Sequence, residues 1–149
     1  MGKKQDQENF HHIMKAMEAA GEIAYQWNVT DDSIEWLGSF DRFLEQENAE
    51  TPNSSADLNL LINSEDLLDH MRDLKAYLRS FREENDLGFD SEFRIEASDG
   101  KDVWVHDSAR AYKDKDRIMV YGVLRRLHAM SQSRKDLKQG IKLDRLTGF

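Results

Sequence analysis

Residues 89–126 have the sequence FDSEFRIEASDGKDVWVHDSARAYKDKDRIMVYGVLRR, and this stretch decides the predicted fold. Apolar and polar residues alternate over 89–96 and again over 102–110, as they do in strands with one buried face. The turn at residues 98–100 (SDG) has a glycine where a positive φ is needed. Residues 118–124 (IMVYGVL) are continuously apolar, which is typical of a central strand. The stretch therefore predicts three consecutive antiparallel strands.

Two further strands, at residues 23–27 and 33–37, precede this stretch and form a predicted hairpin. The intervening segment carries three more elements, predicted as a short helix at 39–46, a surface loop at 47–57, and a long helix that begins at Asn63 or Ser64. Five strands joined in this order favour an α+β fold, in which helices cover one face of a five-stranded antiparallel sheet.

Apolar residues at helical spacing flank the predicted sheet on both sides. Before it, they form the narrow stripe Phe10, Ile13, Met14 and Met17. After it, they form a heptad-like seam with one polar member, Arg134, in the series Leu127, Met130, Arg134, Leu137 and Ile141. We therefore expect an N-terminal helix at residues 1–20, a globular domain at 21–126 and a C-terminal helix at 127–143.

Composition excludes several classes of function. The 149 residues include 21 Lys and Arg against 29 Asp and Glu, a net charge of −8, which argues against nucleic-acid binding. The absence of cysteine excludes disulfides, Cys-ligated zinc and a cysteinyl flavin adduct. Because no apolar run approaches the roughly 18 residues of a membrane span, and residues 1–8 lack a signal-peptide core, we expect a cytoplasmic segment that does not insert into membranes.

The five histidines do not form a convincing metal or haem site. His11 and His12 are adjacent, so on a helix they point about 100° apart. His70 is predicted to lie off the apolar stripe of its helix and to be exposed. His106 and His128 have no carboxylate and histidine partners at ligand spacing. Neither a metal site nor a catalytic motif is predicted, so we expect no enzyme activity within this chain.

Three sequence segments resemble the PAS family of sensory domains. Residues 25–28 (YQWN) with 34–36 (IEW) are similar to the opening hairpin of an aromatic-rich PAS subclass. Residues 62–66 (INSED) resemble its His-Pro-x-Asp helix start, without the histidine and the proline. The most specific segment resembles the E-x-R-x, DG and W-V hairpin of the family, here residues 92–95, 99–100 and 103–105. The resemblance covers residues 21–126 and implies a PAS-like sensor fold.

In a PAS-like fold, the inner sheet face and its helices can enclose a small-molecule cavity. Two interpretations of the aromatic residues therefore remain open, namely a compact core and a ligand pocket. If a pocket exists, we expect it to be lined by Tyr25, Trp36, Phe43, Phe93 and Ile95. A flavin would need amide or hydroxyl partners at its ring edge. Since the sequence shows no clear set of these, no cofactor is predicted and an unknown small molecule stays open.

The resemblance also has an implication for signal transmission. PAS domains that drive an output helix often end the last strand in an Asp-Ile-Thr-like turn, whose aspartate pairs with an arginine such as Arg94. The corresponding residues here are Arg126, Leu127 and His128, so an arginine replaces the aspartate. We therefore expect Glu92, on the same strand face as Arg94, to be the substitute partner. Glu92, Arg94, Arg126 and Leu127 are the candidate transmission residues.

Residues 143–149 (LDRLTGF) resemble the D-x-L-T-G-L segment that begins GGDEF diguanylate cyclase domains. The resemblance implies that residues 144–149 start the junction to an output domain that makes cyclic di-GMP. The GGDEF loop, its metal carboxylates and its guanine-binding residues are absent from these 149 residues.

Two functions of different classes remain open. The first is a sensor that regulates the attached output domain, when a ligand or a partner favours one of two packings of the sheet and the terminal helix. The second is a ligand-free dimerisation and relay module that holds two output domains in register. A small α+β enzyme is a third hypothesis, but it lacks a candidate acid–base pair. In the first two cases we expect a homodimer to which the stripe of the first helix contributes.

Overall fold

The computed structural model of the protein describes residues 2–47, 49–85, 87–96 and 100–127. Five strands form its sheet, namely β1 (Glu22–Asn28), β2 (Ser33–Leu37), β3 (Phe89–Glu96), β4 (Asp102–Asp114) and β5 (Arg117–Arg126). All neighbouring strands are antiparallel, in the order β2-β1-β5-β4-β3. This order confirms the predicted five-stranded antiparallel sheet, with the apolar strand β5 at its centre.

The helical elements are α1 (Gly2–Ala19), α2 (Phe40–Leu44), α3 (Ser55–Leu61), α4 (Ser64–Ser80) and a 3₁₀ turn (Glu83–Asn85). The predicted helices α1, α2 and α4 are confirmed. Helix α3 begins inside the predicted loop at 47–57, which is a correction. Its N-cap is Ser54, whose hydroxyl accepts the backbone N–H of Asp57 at 3.0 Å. The predicted C-terminal helix at 127–143 and the junction at 144–149 lie outside the described residues, apart from Leu127.

The buried face of the sheet follows the alternation of the strands. On β4, Val105, Asp107 and Ala109 point inward and are buried, while Ser108 and Arg110 point outward and are exposed. Apolar residues of α3 and α4 pack on the buried face: Leu58, Leu61, Leu67, Leu74, Tyr77 and Leu78. Burial of this face against the two helices supplies the main hydrophobic contribution to folding.

A clamp of hydrogen bonds fixes the start of α4 to β3. The Arg94 guanidinium donates from Nε to Oδ2 of Asp66 at 2.8 Å and from Nη2 to Oδ1 of the same carboxylate at 3.1 Å. Its backbone N–H also donates to Asp66 Oδ2 at 2.9 Å, and Nη2 reaches Glu65 Oε2 at 2.8 Å. The Arg94 carbonyl in turn accepts the Asn63 N–H at 2.9 Å. Backbone and side chain of one residue thus hold the whole first turn of α4.

The clamp corrects the expected pairing of Arg94 with Glu92. The carboxylate partners of Arg94 are Asp66 and Glu65, which belong to the acidic first turn of α4. A carboxylate at a helix N-terminus is favoured by the helix dipole, and here it meets a guanidinium that approaches from the neighbouring strand. The pairing raises the pKa of Arg94 further above its ordinary range, chiefly through the hydrogen bond to Asp66, so Arg94 stays charged.

Asp66 and Glu65 offer a matched pair of variants for the clamp. The Asp66 side chain is 17% exposed and binds Arg94 through both oxygens, whereas that of Glu65 is 73% exposed. We expect Asp66→Ala to lower the free energy of unfolding by about 2 kcal/mol or more, since it leaves a half-buried guanidinium and a strand N–H without their acceptor. Glu65→Ala should cost about 0 to 1 kcal/mol. Urea denaturation measures both, and equal losses would contradict the clamp.

Candidate functional site

A small cavity lies between the inner face of the sheet and helices α3 and α4. Its volume is about 30 Å³, which is room for one or two water molecules, since a water needs about 10 to 15 Å³ of such a cavity. Strands β1 and β2 contribute aromatic side chains to its wall, α3 contributes the polar residues Ser55 and Asn59, and α4 contributes His70. Asp107 of β4 completes the wall with a carboxyl group. A cavity with few polar groups in an apolar wall is the usual form of a small-molecule site.

Three aromatic rings line one side of this cavity. Tyr25 and Trp27 lie two residues apart on β1 and therefore share its inner face, and Trp36 of β2 is paired with Tyr25 in the register. The rings of Tyr25 and Trp36 are 5.6 Å apart. Both indole N–H groups bond outside the cavity: Trp27 donates to Asp32 Oδ1 at 2.9 Å, and Trp36 donates to the Pro52 carbonyl at 2.7 Å. Trp27 and Trp36 therefore line the cavity with ring carbon atoms and π surface rather than with their N–H groups.

The Tyr25 hydroxyl donates a hydrogen bond to Asp107 Oδ1 at 2.8 Å. This bond spans three strands, because Tyr25 is on β1, Asp107 is on β4 and β5 lies between them. Gly122 of β5 pairs with Tyr25, and a Cβ at position 122 would lie 2.7 Å from the phenol carbon and oxygen of Tyr25. The glycine thus leaves the space through which the phenol reaches Asp107.

Asp107 is the buried acid of the site, with 6% of its surface exposed. Burial raises the pKa of its carboxyl group to about 7; the charge of Asp90 acts in the same direction, and the hydrogen bond from Tyr25 opposes the rise. Burial also raises the pKa of Tyr25 well above its ordinary value. Near neutral pH, Asp107 can therefore either donate or accept a proton, while Tyr25 remains a hydrogen-bond donor.

His70 is the second ionisable group of the cavity. Contrary to our expectation of an exposed residue, it is 5% exposed, because it lies three residues after Leu67 and four before Leu74 and so shares their stripe. Its Nδ1 lies 3.0 Å from Ser91 Oγ, and its ring centroid lies 4.5 Å from that of Phe93. Burial lowers the pKa of His70 to about 4, so the ring is neutral at physiological pH.

The structure separates the predicted pocket residues into three groups. Tyr25 and Trp36 line the cavity. Phe93 and Ile95 are fully buried in β3, where Phe93 stacks against His70. Phe43 is buried in α2 and lines a different concavity, a groove of about 350 Å³ beside α1. A role in ligand binding stays a prediction for all five.

Among the cavity residues that the sequence interpretation missed are Asp107, Trp27 and His70. The alternation of β4 could have identified Asp107, because this residue occupies an inward position between Val105 and Ala109. An acidic residue in an apolar phase marks a buried polar group with a specific partner.

The candidate transmission residue Arg126 makes a latch of its own at the end of β5. Its Nη2 lies 2.8 Å from Glu45 Oε1, and Nη1 donates to the carbonyl of Phe43. Its backbone N–H donates to the carbonyl of Gly21 at 2.8 Å. Gly21 has a φ of +75°, and its missing side chain makes room for the Arg126 guanidinium. Arg126 thus joins the end of the sheet to α2 and to the start of β1.

The other transmission candidates lie on β3 and just beyond β5. Leu127 donates its backbone N–H to the carbonyl of Trp104 at 2.8 Å, which continues the pairing with β4 past the last residue of β5. Arg94 belongs to the clamp, and its guanidinium carbon is 5.1 Å from the Trp104 ring centroid. Glu92 is half-buried on β3 and pairs with His106 in the register. Their role in transmission stays a prediction.

Two features are missing from residues 2–47, 49–85, 87–96 and 100–127. In that part of the chain, no group of three or more His, Asp or Glu side chains has the arrangement of a metal site. The helices described there are too short or too polar to cross a membrane.

Comparisons with known proteins bear on the family. A family model described as PAS fold matches residues 33–123. A search of curated protein sequences finds no match. The chain is similar to the structure of a sensory box histidine kinase/response regulator from Burkholderia thailandensis, with a TM-score of 0.58 and 15% identity, over 92% of this chain and 98% of that one.

Two more solved structures have the same fold. One is the N-terminal domain of a diguanylate cyclase with PAS/PAC sensor from Marinobacter aquaeolei, with a TM-score of 0.54 and 17% identity over 70% of this chain and 94% of that one. The other is the PAS domain of an HTR-like protein from Haloarcula marismortui, with a TM-score of 0.52 and 17% identity over 84% and 97%. Since the family model matches more than half of the chain and the sheet agrees with it, the chain belongs to the PAS fold family.

Proposed function

We propose that this chain is a signal-input domain that regulates an attached output domain. The observation that carries the proposal is the polar cavity on the inner sheet face, where Asp107 is buried beside three aromatic rings. A buried carboxyl group is costly to ionise unless it finds a partner. A molecule that supplies this partner binds one packing of the core more tightly than another, which is the requirement for a two-state sensor.

The route from this cavity to the output is short. Leu124 of β5 lines the cavity, and β5 ends two residues later at Arg126, where the latch to α2 begins. A small shift of β5 on ligand binding would therefore act directly on Arg126 and Leu127. Such a shift changes the direction in which the chain continues after residue 127, and we propose this as the mechanism of transmission.

We propose a diguanylate cyclase as the output domain. Residues 143–149 resemble the opening of GGDEF domains, and one solved structure of the same fold is described as the N-terminal domain of a diguanylate cyclase. The 149-residue chain should neither form nor hydrolyse cyclic di-GMP, because the catalytic motifs are absent from it. Incubation with GTP and Mg²⁺, or with cyclic di-GMP, followed by chromatography checks this. Turnover above a protein-free blank would contradict it.

A ligand-free dimerisation and relay module is the second candidate. Two observations favour it: the cavity has room for one or two water molecules, and α1 has no buried residue. Native mass spectrometry of freshly purified protein, together with its visible absorption spectrum, separates the candidates. A bound mass or a chromophore band supports the sensor, whereas the mass of the bare dimer and no visible band support the relay.

We further propose that a second copy covers the apolar stripe of α1. Phe10 and Ile13 are 48% and 58% exposed, while Met14 and Met17 of the same stripe are half-buried. Light scattering should give a dimer for the full chain and a monomer for a shortened chain that begins at Gly21. The double variant Phe10→Ser/Ile13→Ser should weaken the dimer in the same way, since it removes the exposed apolar area alone. A monomeric full chain, or an unchanged dimer in the variants, would contradict the contact.

The two buried ionisable groups, Asp107 and His70, change the free energy of unfolding with pH in opposite directions. The pKa of Asp107 is raised to about 7, so its contribution to stability is full below pH 4 and is lost as the pH rises through 7. The pKa of His70 is lowered to about 4, so its contribution is full above pH 6.5 and is lost as the pH falls through 4. In the wild type, the two trends oppose each other between pH 4 and 7.

Single variants should separate these two trends. Relative to wild type, Asp107→Asn should gain unfolding free energy as the pH rises from 4 to 7, at up to about 1.4 kcal/mol per pH unit. His70→Gln should gain relative to wild type as the pH falls from 6.5 to 4. Urea denaturation at pH 4.5, 5.5, 6.5 and 7.5 measures both. Differences that stay flat with pH would show that neither group is buried as described.

A further inference from the structure

We propose that the core cavity binds a primary ammonium group, with Asp107 as its counter-ion and the rings of Tyr25, Trp27 and Trp36 around it. The inference rests on the proposed signal-input function, because it names the ligand class of the same site. The chemical class is a small primary amine in its protonated form. The charge of Asp107, the arrangement of the rings and the size of the cavity each favour this class of ligand.

Charge selects a cation over an anion. Asp107 is buried, lines the cavity and accepts the Tyr25 hydroxyl on Oδ1, so its carboxyl group faces the space that a ligand would enter. Among the described residues that line the cavity, none is a lysine or an arginine. An anion would place a second negative charge beside Asp107, at a large desolvation cost. An ammonium group supplies the missing positive charge and donates up to three hydrogen bonds.

The other ionisable groups around Asp107 are compatible with a cation. Tyr25 on β1 remains a neutral donor, and His70 on α4 is neutral at physiological pH because burial lowers its pKa. Asp90 on β3 pairs with the outward residue Ser108, so its negative charge acts on Asp107 from the opposite face of the sheet. Tyr77 on α4 accepts the backbone N–H of Ala111 through its hydroxyl, at 2.9 Å. The ionisable groups that face the site from β1 and α4 are therefore neutral, and the nearby charge on the far face is negative.

The rings provide the second half of a cation site. A cation within about 6 Å of an indole or phenol ring is attracted to the negative face of the π system, most strongly where water is excluded. The indole N–H groups of Trp27 and Trp36, which carry positive charge, bond to Asp32 and Pro52 outside the cavity. The Trp36 ring packs against Phe40 at a centroid distance of 4.9 Å, and the parts of both indoles that line the cavity are carbon and π surface. The combination of a carboxylate with several rings is typical of ammonium recognition.

Size selects a primary ammonium group over a quaternary one. The cavity volume of about 30 Å³ accepts a group the size of water, which an –NH₃⁺ group is, whereas a trimethylammonium group is several times larger. Ser55 and Asn59 of α3 form the polar part of the wall, away from the sheet. The alkyl chain of the amine would leave the cavity between α3 and the aromatic wall.

Protonation of Asp107 competes with the amine. Because the pKa of Asp107 is raised to about 7, most of the empty protein carries a neutral carboxyl group at pH 6 and an ionised one at pH 8. Affinity for methylammonium should therefore rise about tenfold from pH 6 to pH 8, in step with the ionised fraction. An amine bound only by apolar contact would show no such change, since its own charge is constant over this range.

The three tryptophans provide a built-in control for the experiment. Trp27 and Trp36 line the cavity, whereas Trp104 lies against Arg94. Methylammonium chloride is titrated into the 149-residue protein at pH 8 and constant ionic strength, and the three indole N–H signals are followed by NMR. We expect saturable shifts of the Trp27 and Trp36 signals and a constant Trp104 signal. Equal shifts of all three signals, or none, would overturn the proposal.

Variants and ligand analogues test the two recognition elements. Asp107→Asn should weaken methylammonium binding at least tenfold, while Asp90→Asn, at an exposed carboxylate, should leave it within twofold. Trp36→Leu should also weaken it and serves as the second variant if Asp107→Asn fails to fold. Tetramethylammonium, acetamide and acetate, which test size and charge, should each bind at least tenfold more weakly. Equal binding of acetamide would point to a neutral ligand and overturn the proposal.

Failure of this proposal is distinguishable from failure of the signal-input function. If methylammonium does not bind but native mass spectrometry finds another molecule on the purified protein, the cavity is a sensor site for a different ligand. If neither binding nor a bound mass is found, the amine proposal and the sensor both fail, and the relay remains.

Discussion

The hydrogen bond between Tyr25 and Asp107 is the interaction on which the cavity depends. It joins β1 to β4 across β5 and keeps an acidic side chain in the apolar phase of a strand. The bond exists because position 122, over which the end of the Tyr25 phenol lies, has no side chain. A larger residue there would move the phenol off the carboxyl group and leave a buried acid without its donor, which is among the more costly defects in a core. The packing and the electrostatics of the site therefore both depend on the absence of a side chain at Gly122.

The Arg94 clamp determines what faces Asp107 from the helical side. By fixing the first turn of α4 to β3, it sets the rotation of the whole helix, since a helix has few ways to slide once its N-terminus is held. That rotation places His70 over Phe93 and towards the cavity. A surface-facing pairing of the kind first expected, with Glu92, would have left α4 held only by its apolar stripe. The acidic helix start thus serves both as a dipole partner and as an anchor.

The sequence allowed the sheet to be predicted more fully than the site. Alternation on β3 and β4 and the apolar run of β5 are local signals, and they gave the strands and the central position of β5 correctly. The predicted partner of Arg94, Glu92, is wrong. The observed partner, Asp66, is distant in sequence and approaches Arg94 only after α4 docks. The prediction for His70 is wrong, because a stripe drawn through Leu67, Met71 and Leu74 leaves position 70 outside it, whereas the buried side of α4 includes His70. Asp107 was overlooked because one polar residue in a strand resembles a break in the pattern.

The bond between the Arg126 N–H and the Gly21 carbonyl brings the entry and the exit of the globular domain side by side. A domain whose two ends meet can be inserted into a longer chain, or repeated in tandem, with little loop-closure entropy, because the flanking segments need not travel around it. Segments joined to residues 21 and 126 also start next to each other on the sheet. A torsion applied to one strand end therefore acts on the other strand end as well. This arrangement suits a module that is exchanged between different effector proteins without redesign of its core.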